Sequence, residues 1–182
     1  MKKIILFSVI FFSCFAINIK AQTSSSANQN LNLSFSNAIA ITFVATGTAT
    51  GSALSLPFTT VSNYVNGVTS AVQQLKVQSN KLFNVSIKAN SANFTYSGSV
   101  SPAPVMPVST LNVKVTANAT GGTIAGTYGT SFTDITNTTA TLLSNCSNGG
   151  NQTFSIQYQA TPGFAYPAGT YTANIIFTAT QP

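Results

Sequence analysis

Along most of the chain, apolar and polar residues alternate one for one. Phe83, Val85, Ile87 and Ala89 share one side of a segment whose other side is Asn84, Ser86 and Lys88. The same rhythm runs through Leu31, Leu33 and Phe35, through Ile39, Ile41 and Phe43, and through residues 53–58. It returns at Leu111, Val113, Val115 and Ala117, at Phe154, Ile156, Tyr158 and Ala160, and at Tyr171, Ala173, Ile175, Phe177 and Ala179. A period of two places alternate side chains on opposite faces of an extended strand, one face buried and one wet. The abundance of Thr, Val and Ile agrees with strands. Residues 72–78 and 82–89 flank Ser79-Asn80-Lys81, which predicts a hairpin. Asn66-Gly67, Pro102-Ala103-Pro104, Gly121-Gly122, Gly149-Gly150 and Pro167-Ala168-Gly169 fall between strands as turns. Thr138 to Ser144 has room for one helical turn, and no stretch keeps a 3.6-residue period over about ten residues. The pattern therefore predicts an all-β protein, an immunoglobulin-like β-sandwich of about eight to ten antiparallel strands, with a jelly roll or barrel as the alternatives. No repeat of fixed period is present, which argues against a solenoid or propeller.

The N-terminus breaks the pattern. Lys2 and Lys3 precede an apolar run from Ile4 to Ile17, interrupted only by Ser8 and Ser13. That is a signal peptide, too short for a membrane span, with cleavage expected after Ala21. Processing as a lipoprotein at Cys14 is the competing reading, against which stand Phe11 at the lipobox Leu position and the apolar run beyond the cysteine. The expected organisation is a signal peptide over 1–21, a flexible polar leader over 22–30 and one β-sandwich domain over 31–182. No second apolar run reaches spanning length, so no transmembrane segment is expected in the mature chain. The expected destination is export, to the extracellular space or outer surface of a Gram-negative bacterium.

Composition changes the picture by what it lacks. The 182 residues include seven Lys, one Asp and no Arg, His, Glu or Trp. Charged residues make up 4%, against about 25% in ordinary soluble domains. Polarity comes from 22 Ser, 26 Thr and 18 Asn. Three of the lysines leave with the expected signal peptide, and the rest (Lys76, Lys81, Lys88, Lys114) are offset only by Asp134, a net charge of +3. Four scattered lysines without arginine make no phosphate-binding surface, so no nucleic-acid partner is expected.

The same absences limit chemistry. Without His or Glu, neither a Ser-His-Asp triad nor a pair of catalytic carboxylates can be built. No set of His, Cys and carboxylate ligands for a structural metal exists either, so no metal site and no cofactor are expected. A Ser–Lys pair is formally possible, yet nothing brings a particular serine to a lysine. The chain reads as a non-enzyme. Asp134 fits a turn, a strand end or a salt bridge to one lysine. Cys146, the lone mature cysteine, stands in a loop composition and fits a free or partly buried thiol, with an intermolecular bridge as the alternative. Phe94, Tyr96, Phe164 and Tyr166 fit either core positions or a sugar-binding face. Thr46-Gly47-Thr48-Ala49-Thr50 hints at a threonine array but lacks a sustained repeat.

The two ends carry the sharpest signal. Gly169 stands fourteenth from the C-terminus and precedes an alternating strand that runs almost to Pro182. This resembles the final strand of chaperone–usher pilins and their spore-coat-protein-U-like relatives. The resemblance implies that Gly169, Tyr171, Ala173, Ile175, Phe177 and Ala179 form a strand contacted by a periplasmic chaperone. Gln181 departs from it, because the family has an aromatic residue at the penultimate position, and the common pilin disulfide is absent. At the other end, Leu31, Leu33 and Phe35 suit a donor strand, apolar knobs offered to a neighbour's groove. They suit equally the first strand of the chain's own sandwich. The Asn30-Leu31-Asn32-Leu33 opening, Asn66-Gly67-Val68 and the ending YPAGTYTA are also similar to small secreted proteins of Bacteroidetes-type bacteria. The function expected from these features is a secreted structural or adhesive subunit, pilin-like, self-associating by strand exchange. The alternative is a freestanding module that binds a glycan or a host or surface protein.

Overall fold

The computed structural model describes residues 25–44 and 53–182. The expected signal peptide, Cys14, the expected cleavage position and the Thr46–Thr50 array lie outside the described residues. Residues 36–182 form one compact unit, and residues 25–35 belong to another.

The compact unit is a β-sandwich of antiparallel strands. One sheet has the order β1-β3-β10-β6-β8, built from Ile39–Val44, Gln73–Ser79, Gly149–Ala160, Leu111–Asn118 and Thr133–Asp134, with β2 (Val68–Thr69) also on β10. The other has the order β12-β4-β9-β7, built from Ile175–Thr180, Phe83–Ala89, Ala140–Cys146 and Thr123–Ile124. A two-stranded ribbon of β5 (Thr95–Ser97) and β11 (Thr170–Thr172) prolongs the β4–β12 pair. The twelve strands among the described residues exceed the eight to ten expected because five of them are two or three residues long, too short to show a period.

The alternation works as read wherever strands are regular. In β3 and β4 the burial pattern alternates residue by residue, with Leu75, Val77, Phe83, Val85 and Ile87 at most 2% exposed. Phe154 and Ile156 of β10 and Val113 and Val115 of β6 complete the middle of one core shared by both sheets. Phe154 meets Phe177 of the opposite sheet with ring centres 6.5 Å apart.

Six local expectations need correction. β3 and β4 form no hairpin, since they lie in different sheets and Ser79-Asn80-Lys81 leads from one to the other. Gly149-Gly150 is not a turn between strands but opens β10. Thr138–Ser144 is not a helical turn, since residues 140–146 form β9. Its register against β4 shifts twice, so Leu142 and Leu143, adjacent in sequence, are both wholly buried. A bulge adds a residue and reverses the faces beyond it, which erases period two. Ala117 is exposed rather than inward for the same reason, because β6 slips against β10 between Val115 and Ala117. Residues 53–58 form no strand. The one described α-helix, α1 (Val61–Asn66), was not expected. Thr60 caps it and Asn63 closes a capping box onto the Thr60 backbone, while Gly67 ends it at φ 78°. A Cβ at Gly67 would lie 2.7 Å from the Ala160 carbonyl, so the chain passes β10 there only with glycine.

Candidate functional site

The inner face of the sandwich is not equally closed on all sides. Among the described residues β1 pairs only with β3, and β12 only with β4, so each leaves one edge unpaired by them. These two edges lie on the same side, since Phe43 and Phe177 meet edge to face at 6.0 Å. Ile41 and Phe43 stand opposite Val77 and Leu75 and share their inward side, yet Phe43 remains 38% exposed. Ile175, Phe177 and Ala179 alternate inward along β12 but are only half-buried. An apolar seam therefore runs between these two edges. Edge strands are ordinarily blunted by lysine, proline or a bulge. Neither IAITFV nor IIFTAT contains a charge or a proline, and both pair in unbroken register.

The predicted site residues separate into three places. Ile175, Phe177 and Ala179 line the seam. Tyr171 lies in the β5–β11 ribbon directly opposite Tyr96, ring centres 5.1 Å apart, and its hydroxyl donates to the Pro167 carbonyl at 2.9 Å. Burial, then the neighbouring Tyr96 and Tyr166 phenols, raise the Tyr171 pKa. Gly169 backs onto the Tyr96 ring, where a Cβ would come within 2.3 Å. Ala173 links β11 to β12 and packs partly against the core. Leu31, Leu33 and Phe35 belong to no strand and are 78%, 74% and 85% exposed. The first strand of the sandwich is instead Ile39–Val44, so the reading in which residues 31–36 open the chain's own sheet is corrected.

Sequence reasoning missed the residues that hold the root of this segment. Asn80, in the connection that crosses from β3 in one sheet to β4 in the other, accepts from the Ala38 amide at 2.9 Å and donates to the Ser36 carbonyl at 2.7 Å. The Gln181 amide nitrogen reaches the Ala38 carbonyl and Ser79 Oγ at 2.9 Å and Asn80 Oδ1 at 3.1 Å. Two side-chain amides thus clasp residues 36–38, the β3–β4 connection and the C-terminus together. The signal was present in Gln181, the position that departs from the pilin pattern: an amide can tie down a carbonyl where an aromatic ring cannot.

Cys146 is the last residue of β9 rather than part of a loop, and it is wholly buried. The Thr120 hydroxyl lies 3.2 Å from its sulfur and donates to Asn118 Oδ1 at 2.7 Å. Burial raises the thiol pKa, and the Thr120 contact offsets this in part. The group is inert packing rather than a nucleophile. Asp134 accepts from the Asn112 side chain at the β8–β6 pairing, a strand-end role. Of the four aromatics considered for a sugar face, Phe94 packs against the core, Tyr96 and Tyr166 are half-buried and Phe164 is exposed. Among the described residues, no helix is long and apolar enough to cross a membrane.

The chain matches no protein-family model and no curated protein.

Proposed function

We propose that the protein is a non-enzymatic, exported surface subunit that self-assembles by strand addition in the manner of pilins. The apolar knobs Leu31, Leu33 and Phe35 of one copy lie along the seam between β1 and β12 of the next. The reading rests on one observation: three alternating apolar residues stand 74–85% exposed outside any strand. The unblunted seam is their natural complement. Main-chain hydrogen bonds at a free edge supply affinity, and alternate side chains entering the half-open core supply register. The contact is heterologous, one copy's segment on another's edge, and such contacts propagate into open chains wherever the rotation between copies does not close a ring. The near-absence of charge fits, since charges on edges and arms are what ordinarily keep strands apart.

The test is deletion of residues 29–36 from the secreted chain, followed by light scattering after size exclusion. The full chain is expected to form oligomers that grow with concentration. The deleted chain is expected to stay monomeric with an unchanged far-UV spectrum and melting temperature. Oligomers that survive the deletion sink the proposal.

A further inference from the structure

The end of the sandwich opposite the clasp carries a different surface. There α1 and the 161–169 loop bring three rings together. Tyr64 stacks on Phe164 with centres 5.4 Å apart and planes within 16°, and Phe58 tilts against Tyr64 at 5.5 Å. Tyr64 covers one face of Phe164, yet Phe164 is 66% exposed, so its other face is open. Two residues further on, Tyr166 meets the edge of Tyr171 at 6.2 Å. The hydroxyls of Tyr96 and Tyr171 are engaged by the Ala168 and Pro167 carbonyls. Those of Tyr64 and Tyr166 have no hydrogen-bond partner among the described residues.

The segments that build this end, residues 53–72, 93–107 and 161–174, contain no charged side chain. That selects the chemistry of a partner. A nucleic acid, an anionic lipid surface or an acidic peptide needs cations that this end does not have. A purely apolar partner would bury the two free phenol hydroxyls without hydrogen bonds, at a cost in affinity. A neutral sugar meets both conditions: its C–H face lies on an aromatic ring, and its hydroxyls pair with phenols and amides. We propose that this end is a platform for an uncharged pyranose chain. Phe164 is the ring on which a sugar stacks, and the Tyr64 and Tyr166 hydroxyls are its polar contacts. The site shares no residue with the seam or the N-terminal segment, so it stands or falls independently of strand addition.

The test titrates isotope-labelled mature protein, with residues 29–36 deleted to hold it monomeric, with cellohexaose, xylohexaose and mannohexaose. A heparin hexasaccharide serves as the charged control. At least one neutral hexasaccharide is expected to shift the amide resonances of α1 and residues 161–169. Phe164→Ala is expected to weaken that binding about tenfold, the scale of one lost ring contact. Tyr166→Phe should weaken it less, and since Phe164 is exposed both variants should melt as the parent does. No shift with any neutral hexasaccharide overturns the proposal, as does binding unaffected by Phe164→Ala or heparin binding at least as tight. Loss of self-association by the full chain on Phe164→Ala, without any sugar binding, assigns the patch to a second copy and overturns it equally.

Discussion

Replacing Leu142 and Leu143 one at a time by alanine tests the bulged register of β9, on which the closure of the second sheet depends. In a regular strand, adjacent residues point to opposite faces, so one of the two would be a surface leucine and its truncation would cost within about 0.5 kcal/mol. Here both are 0% exposed, because the register between β4 and β9 shifts on either side of Val85. Each truncation should therefore cost about 2–5 kcal/mol, the removed transfer energy plus the cavity left behind. For a domain of this size that corresponds to roughly 4–20 °C in Tm. Thr141→Ala, at the exposed position beside them, is the control and should move Tm by no more than a degree or two. Thermal and guanidinium unfolding followed by far-UV circular dichroism reads all three. A Leu142→Ala or Leu143→Ala variant as stable as the parent would refute the bulged register and restore simple alternation.

Further expectations follow from other parts of the unit. Gly122→Ala places a Cβ 2.6 Å from the Ser144 carbonyl and 2.9 Å from the Cys146 Cα, so backbone must shift, and the cost in chemical denaturation should be about 1–3 kcal/mol. Cys146 and Tyr158 are both held neutral by burial, with raised pKa values. The unfolded chain therefore ionises first, so stability is full below about pH 9 and falls as pH rises through the thiol and phenol range. A melting temperature flat across that range would contradict this. Native Cys146 should resist iodoacetamide while the unfolded chain reacts within the ordinary thiol range, as mass spectrometry reads. Asn80→Ala removes the acceptor for the Ala38 amide and one for Gln181, at a cost of about 1 kcal/mol because the groups are exposed. The specific readout is faster hydrogen exchange at Ala38.

The fold was legible where strands are regular. β3, β4, β10 and β12 follow from period two alone, and Ser79-Asn80-Lys81 marks the break between the first two. What defeated the pattern were bulges, since Leu142-Leu143 and Ala117 lie where one extra residue exchanges the faces. The six residues of α1 are too few to show a 3.6 period, though Thr60 and Asn63 carry a capping signature three residues apart. Periodicity also says nothing about partners. Leu31, Leu33 and Phe35 alternate as cleanly as any strand, yet a strand exists only where a neighbour supplies the ladder. The seam was half legible: Ile175, Phe177 and Ala179 were named with the correct facing. Ile39, Ile41 and Phe43 read simply as another strand, because edge position is a property of topology.

The central claim is that the segment of one copy occupies the seam of another, and a peptide tests it most directly. A synthetic peptide of residues 29–36 is titrated into isotope-labelled protein lacking those residues. Saturable shifts confined to the amides of β1 and β12, and abolished by Leu33→Glu in the peptide, are the predicted result. Shifts elsewhere, or none at peptide concentrations that saturate the full chain's own assembly, would contradict the account.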